Sequence, residues 1–208
     1  MRGRAKWKQC GRRAPNTMKI GPFPILLIVP LVLWVAFELS LALRDLFTGK
    51  GRFGRDKGSK HVVSIGLYAG FFLGAVLSKT GLSFAGDLSV GLLIGISILL
   101  VGLGIRIWAV VALGVSFRLT VETHQGQKLV DKGPYKYVRH PAYSGLLLIC
   151  LGYGLSLQNW LSLAFAVVFP VAALLYRIHV EEQYLVASIG EDYKRYQMKT
   201  KRLIPRIW

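Results

Sequence analysis

The run PFPILLIVPLVLWVAFELSLAL, residues 22–43, limits this chain to very few folds, because it carries a single charged side chain, Glu38. At about 1.5 Å per residue such a run crosses a hydrocarbon core of about 30 Å. In lipid, backbone N–H and C=O groups find no water, so the run must pair them internally as a helix. It is too long for a secretory signal and lacks a small-residue cleavage site.

Four further apolar runs follow, at about 61–78, 88–114, 142–157 and 160–178. The second carries Gly66, Gly70 and Gly74 at a spacing of four, which puts three glycines on one helix face for close contact with a neighbour. The third is long enough to tilt or to project from the bilayer. The fourth and fifth are separated only by Gln158 and Asn159, which predicts a tight helical hairpin, and the fourth is short for a full crossing. The expected fold is an all-α integral membrane bundle of about five transmembrane helices with a C-terminal interfacial helix. A basic leader at 1–21 precedes a single domain at 22–208, with a functional half at about 106–208.

Composition agrees: of 208 residues, 53% are hydrophobic and only 18% charged, so most of the chain belongs in lipid. A formal charge of +17 would suggest nucleic acid in a soluble protein. Here the Lys and Arg residues cluster between apolar runs, where they mark the cytoplasmic flank and meet anionic headgroups, so no nucleic-acid partner is expected. Segments 44–60, 118–140 and 177–208 hold six, five and seven of them, against one in 79–87. Five crossings put the three rich segments on one side, the cytoplasmic one. The seven positive charges of the leader contradict that count, and a start at Met18 would remove six of them. Cys10 and Cys150 suggest neither a metal site nor a disulfide framework.

On the proposed cytoplasmic side two polar stretches flank the hairpin, QKLVDKGPYKYVRHPAYSG at 127–145 and RIHVEEQYLVASIGEDYKRY at 177–196. Folded together they would enclose a pocket between lipid and water, suited to a polar cofactor that meets a lipophilic substrate. Gly133 and Pro134 mark a turn, and Pro141 fits the first turn of a helix whose N-terminus would favour a carboxylate.

In these residues the chain resembles the isoprenylcysteine carboxyl methyltransferase and phospholipid methyltransferase superfamily of integral membrane enzymes. The resemblance runs from about Arg106 to Pro205 and rests on RHPAYSG at 139–145, the EE pair at 181–182 and GEDY at 190–193, with RIWAVVALG at 106–114 as a weaker element. It implies S-adenosyl-L-methionine bound without a Rossmann fold. By position the cofactor would be held by Gln127, Lys128, Leu129 and Val130, by Tyr135, by His140, Pro141, Ala142 and Tyr143, and by Glu181. Arg177 falls where the family places an arginine that orients the substrate. Glutamine stands at 127 where some family members have histidine, which leaves a backbone contact there rather than a side-chain one.

The implied function is methylation of a lipophilic acceptor entering from the bilayer, first of all carboxyl O-methylation of an isoprenylcysteine-like substrate. Phospholipid amine N-methylation, a reductase resembling the sterol reductases and a non-catalytic lipid-binding module are the alternatives; oligomeric state is unspecified. Glu181 can pair the cofactor's ammonium, and His140 or the helix N-terminus its carboxylate. A plainer reading fits several of these residues as well. Arg177 and Glu181, four apart on a helix, match an ion pair at a span's end. Arg139, His140 and the tyrosines match an interfacial belt, and Glu38 and Arg106 match structural pairing. The tail KTKRLIPRIW, basic and aromatic, suits a surface anchor.

Overall fold

A computed structural model describes residues 23–47, 58–84, 87–114 and 129–208, with the side chains of residues 23 and 24 outside the description. The leader, Cys10, Gln127 and Lys128 fall outside the described residues. The expected all-helical architecture is borne out. Helices α1 (Phe23–Phe47), α2 (Ser59–Leu77), α3 (Leu88–Leu113), α4 (Pro141–Ser156), α5 (Trp160–Ile189) and α6 (Glu191–Lys199) follow in order, with a 3-10 turn at Gly133–Lys136 ahead of α4. Among the described residues α1, α2, α3 and α5 are long and apolar enough to cross a membrane, and α4 is a shorter apolar helix. Their large outward side chains, among them Ile25, Val32, Ile65, Phe72, Leu93, Val111 and Val168, are exposed as lipid-facing residues would be.

Two glycine seams hold the bundle. On α2, a Cβ built on Gly66 would lie 2.6 Å from Ala173 Cβ and 3.0 Å from Phe169 O. One on Gly70 would lie 3.1 Å from Phe165 O. The spacing-four glycine face therefore packs on α5, as its pattern implies, and Ser162 Oγ donates to Gly74 O at 2.7 Å. The second seam uses a spacing of seven. A Cβ on Gly102 would meet Gly145 O at 2.7 Å and one on Gly145 would meet Gly102 O at 2.6 Å; a Cβ on Gly95 would meet Gly152 O at 2.7 Å. Such contact lets two antiparallel backbones touch, which in lipid replaces the hydrophobic drive available in water.

The hairpin between α4 and α5 is tight, as expected. Gln158 takes the left-handed conformation, φ 54. Asn159 caps α5, its side-chain oxygen accepting from the N–H groups of Leu161 and Ser162 at 3.0 and 3.1 Å. Its amide donates to Thr80 O at 3.1 Å, tying the tip to the α2–α3 connection. At the level of α1, Trp34, Phe71 and Tyr153 stack in sequence, with ring centroids 5.1 and 4.2 Å apart. Beyond the apolar run that ends near Ile178, α5 continues as one helix to Ile189. Its polar continuation stays helical because Arg177, Ile178, Val180 and Glu182 are buried against the rest of the chain.

The second seam makes a direct prediction. Gly102→Ala should destabilise the detergent-solubilised protein by about 1–3 kcal/mol, because the backbone of α4 must move away. Gly104 faces open space, so Gly104→Ala should be neutral or stabilising by up to about 1 kcal/mol, the helix-propensity difference. Thermal unfolding of the two variants checks this, and equal shifts would contradict the seam.

Candidate active site

The site forms where α4 begins, α5 leaves its apolar run and the 3-10 turn crosses above them. Pro141 sits at the first position of α4, where its missing N–H costs nothing. The N–H groups of Tyr143 and Ser144 donate to His140 O at 3.0 and 3.1 Å. The first-turn N–H left outside these bonds is that of Ala142, so the anion-binding capacity expected of this helix end narrows to one donor.

Tyr143 is the junction. Its hydroxyl donates to Glu181 Oε2 at 2.7 Å and accepts from Arg177 Nε at 3.2 Å. Arg177, buried, also donates from Nη1 to Ser59 Oγ at 2.7 Å. Arg177 and Glu181 are thus joined through a third side chain from a different helix, a more elaborate arrangement than a simple pair one turn apart. The His140 and Tyr143 rings stack with centroids 5.6 Å apart. Tyr135 is buried, and burial first, then the Glu181 charge, raises its phenol pKa, so it stays a neutral hydroxyl. Of the positions carried over from the family, Tyr135, His140, Pro141, Ala142, Tyr143, Arg177 and Glu181 therefore gather at this end of the bundle. Leu129 and Val130 lie half-buried in the segment leading to the 3-10 turn.

Beneath this group lies a second centre that the sequence reading passed over. Glu182 is buried and receives Arg139 Nε at 2.8 Å, His140 Nε2 at 3.3 Å and Arg202 Nε at 3.1 Å. Arg139 also donates to the carbonyls of Gln197, at 3.1 Å, and of Thr200. Tyr196 Oη donates to Tyr135 O at 2.5 Å. One carboxylate thereby fixes the loop ahead of α4, the polar end of α5 and the C-terminal segment relative to one another. The EE doublet was its only sequence signal, and Glu181 alone was given a role. Ser59 was missed too, since a serine at a helix start reads as a cap.

Glu38 and Arg106, expected to be structural, pair with each other: Arg106 Nη2 donates to Glu38 Oε2 at 2.8 Å and Nε to Glu38 Oε1. Arg106 Nη1 donates to Ala142 O at 3.0 Å, so this ion pair of α1 and α3 also holds the first turn of α4.

Residues 93–187 match the model of the isoprenylcysteine carboxyl methyltransferase (ICMT) family. The chain is 36% identical over 111 residues to a protein-S-isoprenylcysteine O-methyltransferase of Schizosaccharomyces pombe, covering 52% of this chain and 47% of that one. It is 35% identical over 119 residues to a probable protein-S-isoprenylcysteine O-methyltransferase of Oryza sativa subsp. indica, covering 55% of this chain and 61% of that one. The chain thus spans about half to three-fifths of the length of these relatives. The fold is shared with a solved eukaryotic intramembrane Ras methyltransferase, ICMT, at a TM-score of 0.60 and 20% identity, over 91% of this chain and 70% of that one. The superfamily resemblance read from the motifs is borne out.

The Glu182 centre predicts a stability effect. Arg139 and Glu182 side chains are only 9% and 7% exposed, so Glu182→Ala, which strands the buried Arg139 guanidinium, should cost about 3–5 kcal/mol. Glu191→Ala removes an exposed pair with Lys194 and should leave thermal unfolding unchanged. Similar shifts for the two variants would contradict a buried hub.

Proposed function

We propose that this chain, whose residues 93–187 carry the family match, is an integral membrane methyltransferase that uses S-adenosyl-L-methionine to esterify the carboxylate of an isoprenylcysteine-like lipid. The observation that carries the reading is the Tyr143 hydroxyl, which links a carboxylate, Glu181, to a buried guanidinium, Arg177, at the end of the apolar run.

The residues present fit the cofactor's charges and surfaces. Glu181, half-buried, offers a carboxylate for its ammonium, while the Ala142 N–H offers a donor for its carboxylate. Tyr135, His140 and Tyr143 supply aromatic surface for the adenine and hydroxyls for the ribose. Gln127, Lys128, Leu129 and Val130 would complete the adenine end, the first two from outside the described residues. Bound here, the cofactor supplies an electrophilic methyl group on a sulfonium.

Arg177 holds the acceptor carboxylate in line with that methyl, and Ser59 and Tyr143 hold Arg177. No general base is required, because a carboxylate is already ionised near neutral pH. An amine acceptor would first have to lose a proton, and a fixed guanidinium beside it would oppose the ammonium form without accepting the proton. The site works by alignment and by stripping water from the acceptor, which the surrounding apolar helices favour. The domain runs from 22 to 208 with its cofactor half at 106–208, and the site faces the cytoplasm, as the Lys and Arg asymmetry of the connections supports.

Two measurements test this. Glu181→Ala should weaken S-adenosylhomocysteine binding by a factor of about ten to over a hundred, the loss of one charged hydrogen bond. Arg177→Ala should leave that binding nearly intact while lowering turnover or raising the KM for the acceptor. Equal affinity for wild type and Glu181→Ala would overturn the role of Glu181. For orientation, single cysteines at Lys136 and Lys199, in a background without Cys10 and Cys150, should label from one side with an impermeant maleimide, and one at Leu82 from the other. Labelling of Lys136 and Lys199 from opposite sides would overturn the topology.

A further inference from the structure

After α6 the chain turns back toward the apolar part of the bundle. The N–H of Arg139 donates to Lys201 O at 2.8 Å and that of His140 to Arg202 O at 3.0 Å. Ser144 Oγ donates to Leu203 O at 2.7 Å. Ser144 lies in the first turn of α4, beside Tyr143, whose hydroxyl meets Arg177 where the apolar run of α5 ends. Leu203 is therefore at the border between the apolar and polar halves of the molecule.

The residues after Leu203 form a closed turn. The N–H groups of Leu203 and Ile204 both donate to Trp208 O at 2.9 Å, and Arg206 takes a left-handed φ of 66, a conformation costly for a residue with a Cβ. The turn is thus held against local strain, and it displays Ile204 and Ile207 outward, 51% and 74% exposed. The Arg202 guanidinium lies 5.4 Å from the centre of the Trp208 ring. Between 199 and 208 stand Lys199, Lys201, Arg202 and Arg206, and no acidic residue. Apolar side chains presented at the lipid border, an aromatic ring beside them and basic residues around them match the headgroup zone of a bilayer with negative surface charge.

We infer that the turn Leu203–Trp208 is a membrane-interface anchor whose partner is the headgroup region of an anionic phospholipid bilayer. Ile204 and Ile207 enter the acyl boundary, the Trp208 ring lies at headgroup level, and Lys201 and Arg206 meet lipid phosphates. Arg202, immediately before the turn, is bonded to Glu182, so seating the turn on the bilayer also braces the loop that carries Arg139 and His140.

The test is depth-dependent quenching on the full chain reconstituted in bilayers of phosphatidylcholine and phosphatidylglycerol. The Trp208 emission is obtained as the difference between wild type and Trp208→Phe. The expected result is loss of this emission when the phospholipid is brominated near the headgroup end of its acyl chains, with little loss to aqueous iodide. Quenching by iodide and not by brominated lipid would overturn the inference. Protection from both would overturn it in favour of a protein contact. In pure phosphatidylcholine, iodide access to Trp208 should rise for wild type, whereas a Lys201→Gln, Arg206→Gln variant should show the same access in both bilayers. Identical wild-type access in the two would overturn the anionic partner. Each readout is independent of methyl transfer, so failure of the anchor is distinguishable from failure of the enzymatic reading.

Discussion

Close backbone approach between α3 and α4 is the constraint on which the rest of the structure depends. With Gly102 facing Gly145 and Gly95 facing Gly152, a single Cβ at any of these positions would fall within 2.7 Å of a backbone atom across the seam. That contact fixes the height of α4 against α3. Arg106 consequently reaches both Glu38 on α1 and Ala142 O at the first turn of α4. The ion pair is worth having in lipid only because each partner is satisfied there. Its geometry sets where the helix that carries Tyr143 begins.

From that fixed point the site assembles in two tiers. The upper tier, Tyr143 with Glu181 and Arg177, holds opposite charges apart at a fixed distance through one hydroxyl. The lower tier, Glu182 with Arg139, His140 and Arg202, is saturated and serves to lock three chain segments. Adjacent glutamates lie about 100° apart around α5 and so do different work, one toward the Tyr143 junction and one toward the C-terminal segment.

Much of this was legible in the sequence. Apolar runs specify helices in lipid almost without ambiguity, and Gly66, Gly70 and Gly74 declared their face because a spacing of four brings glycines together on one helix. The glycines of α3 and α4 repeat at seven, and their meaning depends on which helix lies opposite, which one helix's pattern cannot state. The polar end of α5 looked like a surface segment, since its helicity depends on residues buried by distant partners. Glu182 was passed over for the same reason: its partners at 139, 140 and 202 lie far from it in the chain. The positions carried over from the family include Arg177, Glu181 and Tyr143, which the structure brings together, but not Ser59, whose hydroxyl accepts from Arg177 across more than a hundred intervening residues.

The central claim is that a fixed guanidinium aligns a lipid-borne carboxylate for methyl transfer. It is tested most directly by incubating purified, bilayer-reconstituted protein with radiolabelled S-adenosyl-L-methionine and a prenylcysteine analogue, either as the free acid or as its amide, alongside phospholipid. The account predicts base-labile label on the free acid alone, abolished or strongly reduced in Arg177→Ala. Base-stable label on the phospholipid, or equal labelling of acid and amide, would contradict it.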